Sequence, residues 1–139
     1  MSSYLPLLRD SGESLMVFRD DEVIFSSSSR GVAPLLEVVD AIGLEELRGV
    51  VTVDRVVGKA AALLNLYIGA SEVHAMVISV GAERVLKEHG VECVYWEKAD
   101  AIKEKDGVIV CPFERLVQDI SDPAEAYVKI VEKLAQLSG

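Results

Sequence analysis

The chain has 139 residues, half of them hydrophobic, with four prolines, two cysteines and a formal net charge of −9. That is enough apolar material for one domain with a real core, and it excludes wholesale disorder. With no basic face to offset the charge and no apolar run of the roughly 18 residues a membrane span needs, neither nucleic acid nor a bilayer is an expected partner.

The opening MSSYLPLLRD has no basic segment ahead of its apolar residues and no long apolar stretch, so it does not read as a signal peptide. With so few cysteines, the expectation is a cytoplasmic chain without a disulfide framework. Further on, SLMVF (14–18) and EVIFS (22–26) flank a tight polar turn, Arg19-Asp20-Asp21, and predict a β-hairpin. A run of four serines leads into GVAPLLEVVDAIG (31–43). Here Val32, Leu35, Leu36 and Val39 fall at helical spacing, Pro34 suits the first turn and Gly43 marks the stop. GVVTVDRVVG (49–58) is β-branched and mostly apolar, as a strand buried on both faces would be.

The pattern then alternates: helix 59–69, strand 72–79, helix 81–90, strand 91–98, a short helix over ADAIKEK (99–105) and a last strand, GVIV (107–110). Two helices follow, PFERLVQDI (112–120) and PAEAYVKIVEKLAQL (123–137). A hairpin followed by alternating βα units predicts an α/β fold, a three-layer α/β/α sandwich around a mixed sheet, in a single domain over 1–139. The doubly wound flavodoxin type is the competitor, but it does not normally begin with a hairpin. One Asn and two Gln beside many Glu and Lys is a bias that recurs in heat-adapted, thermophile proteins.

Several positions carry chemistry. Gly58-Lys59 stands where a strand runs into a helix, the kind of junction where α/β proteins hold phosphates. A Walker A loop is excluded, because Val53 stands at its first glycine position and Ala60 follows the lysine. What survives is a weaker anion contact made by Lys59 and the free N–H groups of the first helical turn; the competing reading is a tight turn with Lys59 in solvent. Asp54 is a carboxylate inside an apolar strand and needs a polar surrounding, which Arg55 cannot supply because strand side chains alternate.

SSSSRG (26–31) offers Arg30 as a second anion contact, or else a solvated loop with Ser29 capping a helix. In CPFE (111–114), Pro112 suits the first helical position. That puts Cys111 at the N-cap, where a thiol gains reactivity, and Glu114 where a capping glutamate reaches back. The alternative is a packed cysteine and a plain cap. His74 and His89 have no ligand-like neighbours and no C-x-x-C occurs, so no metal and no cofactor are expected.

Together VDRVVGKAAALL, the strand end VIS at Ser79 and CPFE resemble a small prokaryotic family, domain of unknown function DUF1893, over nearly the whole chain. The resemblance implies a fold similar to cytidine deaminase. In zinc deaminases the helix after the central strand opens with His-x-Glu and the next with Pro-Cys-x-x-Cys. Here those places hold Gly58-Lys59-Ala60 and Val80-Gly81-Ala82-Glu83, so deamination through a zinc-bound water is not implied. What is implied is a metal-free, deaminase-like module holding a small anionic or nucleotide-like molecule. Lys59 and Gly58 would meet the anion, Ser79 and Asp54 would add hydrogen bonds and Arg30 would close the rim. The alternative is a metal-independent enzyme with Cys111 as nucleophile and Glu114 beside it. Association into homo-oligomers stays open.

Overall fold

A computed structural model of the chain describes residues 2–100 and 112–138. Its hairpin pairs β1 (Leu15–Arg19) with β2 (Glu22–Ser27) across a turn in which Asp20 and Asp21 take left-handed φ values of 52° and 65°. Such turns match the twist of the flanking strands, and aspartate tolerates the conformation. Next come α2 (Ala33–Ile42) and a four-residue α3 (Leu44–Leu47). β3 (Val51–Val57) then runs into α4 (Lys59–Ile68), and β4 (Glu72–Ser79) into α5 (Val80–Glu88). β5 (Glu92–Ala99), α6 (Pro112–Leu116) and α7 (Pro123–Ser138) complete the described elements.

Before all of these lies a helix the sequence reading did not foresee, α1 (Leu5–Ser11). Its apolar repeat is only Leu5 and Leu8. The expected strand over 107–110 lies outside the described residues, as does most of the expected helix over 99–105, whose first residue, Ala99, instead ends β5.

The sheet runs β2-β1-β3-β4-β5 and is mixed: β1 is antiparallel to β2 and β3, while β3, β4 and β5 are mutually parallel. Alternation along β3 decides what faces what. Val53 packs with Leu5 and Leu8 of α1 and Phe18 of β1 in a small core on one face. Thr52 and Asp54 point the other way, towards α4. A larger core fills that side, built from Leu35 of α2, Leu63 and Leu64 of α4, Leu86 of α5 and Ile130 of α7. Thr52 is fully buried there, yet its hydroxyl donates to Asn65 Oδ1 at 2.6 Å, and the Asn65 amide donates to the Ala61 carbonyl at 2.9 Å. The only asparagine of the chain thus ties α4 to β3, which sets where the start of α4 lies relative to Asp54.

Candidate functional site

Asp54 is the middle residue of the central strand, paired with Leu15 on one side and Ala75 on the other. It is more than nine-tenths buried and lines a cleft of about 220 Å³. Burial pushes its carboxyl up to about 7 from the usual 3.8, against the pull of the Arg55 and Val56 backbone N–H groups. Arg55 also borders the cleft, but its guanidinium is committed elsewhere, donating to the carbonyls of Glu13 at 2.6 Å and Leu8 at 3.3 Å. The charge of Arg55 still pulls the Asp54 carboxyl down, but burial outweighs it and the backbone N–H groups together.

The start of α4 forms a second wall. Helix N-termini leave backbone N–H groups without intrahelical partners. Here two of them donate to one carboxylate: Lys59 N–H to Glu114 Oε1 at 2.9 Å and Ala60 N–H to Glu114 Oε2 at 2.8 Å. Sequence reasoning sends Glu114 back to the start of its own helix, whereas the structure turns both its oxygens onto α4, 54 and 55 positions away. Gly58 has an ordinary φ of −93°, so its role is space. A Cβ there would lie 2.5 Å from Glu114 Oε1. The first free N–H groups of α4 are thus taken by a carboxylate of the chain itself, without the Lys59 ammonium.

Arg30 and Gly31 contribute the outer lip of the cleft, with Ser14 beside them and Val32, Val56 and Ala61 as apolar walls. Arg30 is exposed, and the serines before it are turned away: Ser29 caps no helix but donates its hydroxyl to Glu37 at 2.7 Å. The structure therefore brings Asp54, Gly58, Arg30 and Glu114 around one cavity. Lys59 and Ser79 are not among the residues lining it. The Lys59 ammonium donates to the Gln118 carbonyl at 2.9 Å, just beyond α6. Ser79 caps α5, its hydroxyl accepting from Ala82 N–H at 3.0 Å. Cys111 lies outside the described residues. Cys93 is half-buried in β5, and burial is the main influence pushing its thiol up, which makes it a packing residue and a poor nucleophile.

Ser14 and Glu114 are cleft residues that sequence reasoning missed or misplaced. Ser14 had one signal available, its place just before β1, the strand that pairs with β3. Among the described residues no group of three or more His, Cys, Asp and Glu side chains is arranged to hold a metal ion. No helix among the described residues is long and apolar enough to cross a membrane.

A family model described as a domain of unknown function, DUF1893, matches residues 4–134. A crystal structure of a DUF1893 family protein from Thermotoga maritima, at 2.70 Å resolution, is similar to the chain. The TM-score is 0.81 and the sequence identity 29%, over 96% of this chain and 92% of that one. No curated protein matches the sequence.

Proposed function

The chain belongs to the DUF1893 family, a family defined without an activity, and we propose that it is a deaminase-like binding module holding a small anionic or nucleotide-like molecule in the β3–α4 cleft. The observation that carries this reading is Asp54: a carboxyl group more than nine-tenths buried, lining an open cavity whose lip is an exposed arginine. A carboxyl group held where burial penalises its charge, and facing an open cavity, marks a candidate binding site.

The deaminase-like arrangement is supported by the leading hairpin, the strand order β2-β1-β3-β4-β5, and the helices that follow β3 and β4 directly. The residues at the two helix starts do not fit zinc: Glu83, the one carboxylate in the first turn of α5, is paired with Lys87 and Lys98. Gly58, Lys59 and Ala60 open α4, and Val80, Gly81 and Ala82 open α5; none offers a ligand atom, and the ammonium of Lys59 would repel a cation. No chemical step through a metal is derived.

In this reading Asp54 accepts hydrogen bonds from the bound molecule and Arg30 meets its anionic group. Lys59 and Ser79 act one step removed, the first by holding the residues after α6 and the second by fixing the start of α5. Calorimetric titration with mononucleotides, orthophosphate and small dicarboxylates tests the proposal. A mononucleotide is expected to bind, and Arg30→Ala to weaken it at least fivefold. If none of these compounds binds at millimolar concentration, or the arginine substitution leaves binding unchanged, the reading fails.

A further inference from the structure

Resting on that binding reading, we propose that the cleft recognises a planar nitrogen heterocycle by an edge carrying a ring N–H beside an exocyclic amino group. Guanine presents such an edge, and Asp54 would accept both donors. Three observations point there.

The first is the chemistry of the lining. The two carboxylates, Asp54 and Glu114, are acceptors, and the walls formed by Val32, Val56, Ala61 and Gly58 carry no side-chain donor. Of the donors, Arg30 is exposed, Ser14 is half-buried, and the half-buried Arg55 guanidinium is committed to the Glu13 and Leu8 carbonyls. A pocket whose one buried polar side chain is a carboxylate selects a molecule that donates to it, and rejects the analogue lacking the donor.

The second is the state of the Asp54 carboxyl group. A carboxylate has about four lone-pair sites. The Arg55 and Val56 backbone N–H groups engage it from the strand side. The sites left over match two parallel donors, the fork geometry in which carboxylates bind most selectively. Glu114 cannot swing in as a competing acceptor without releasing the Lys59 and Ala60 N–H groups.

The third is size. Engineered apolar cavities of about 150 Å³ take up benzene. The cleft, at about 220 Å³, holds a heterocycle but not a whole nucleotide. Sugar and phosphate must therefore project through the open side, where Arg30 stands, while apolar walls flank the ring.

The test is calorimetric titration at pH 8 with guanosine, inosine and cytidine monophosphates, on the wild type, Asp54→Asn and Arg30→Ala. Inosine lacks the exocyclic amino group, and cytidine sets an acceptor beside its amino group. The guanosine form is expected to bind at least tenfold more tightly than either. Asp54→Asn should erase that preference, because an amide presents its own donors, and Arg30→Ala should weaken the guanosine and inosine forms alike. Equal binding of the guanosine and inosine forms by the wild type overturns the edge assignment and leaves the binding module standing. A preference for the cytidine form does the same. No binding by any of the three overturns the edge assignment, and the binding module falls with it when orthophosphate and small dicarboxylates also fail to bind. The wild-type comparison does not depend on how well either variant folds.

Discussion

At the scale of single residues, Asp54 is held where its charge is expensive. Its carboxyl lies at about 7 in the folded chain against 3.8 for the free side chain, and burial is the cause. Between those two values the folded protein binds a proton that the unfolded chain has released, so stability falls as pH rises from about 4 to 7. At 1.36 kcal/mol per unit, the penalty above pH 7 is on the order of 4 kcal/mol. Other charges border the group: Arg30 from the lip, Glu114 from α6 and Arg55 from its own strand. Asp54→Asn keeps the shape and removes the charge. It is expected to raise unfolding free energy in urea at pH 8 by a few kcal/mol and to change it little at pH 4. A variant no more stable than wild type at pH 8 would show that the carboxylate is already well accommodated. Residues kept at a cost to stability are those that function selects.

At the scale of elements, the joint between α4 and α6 rests on one carboxylate and one absent methyl group. Glu114 supplies the cap that α4 lacks locally, since Gly58 at its N-cap has no side chain to offer. Gly58→Ala would drive a Cβ into that carboxylate and cost about 1–2 kcal/mol, the worth of a lost helix cap. In a Glu114→Ala background the same change should be neutral or stabilising by up to about 1 kcal/mol, because alanine restricts the unfolded chain and nothing is left to strike. Thermal or urea unfolding of the four proteins gives the coupling directly, and additive effects would show that the two residues do not meet. None of this joint was legible in the sequence. The local pattern at CPFE pointed Glu114 to its own helix, and a contact across more than fifty positions leaves no local trace. The burial of Asp54 was legible, because a carboxylate in a mostly apolar strand, with Arg55 on the opposite face, is anomalous.

At the scale of the whole molecule, the sheet has a core on each side, and they are unequal. The larger core could be read from the alternation of apolar strands and amphipathic helices. The smaller one could not, because α1 contributes only Leu5 and Leu8, three positions apart, and seven residues are too few for a periodic signal. Both leucines are fully buried, so Leu8→Ala should cost about 2–4 kcal/mol in urea unfolding, as core truncations do. A cost under about 1 kcal/mol would mean that the sheet holds this face without α1. The capping of α4 by Glu114 also has a consequence in time. Synthesis proceeds from the N-terminus at about 5–20 residues per second, so roughly 3–11 s separate the appearance of Lys59 from that of Glu114. Through that interval the nascent chain can pair β1, β3 and β4 and wind α4, but the first amides of the helix face water and the cleft has no far wall. A ribosome stalled before residue 114 therefore carries most of the sheet and no finished cleft.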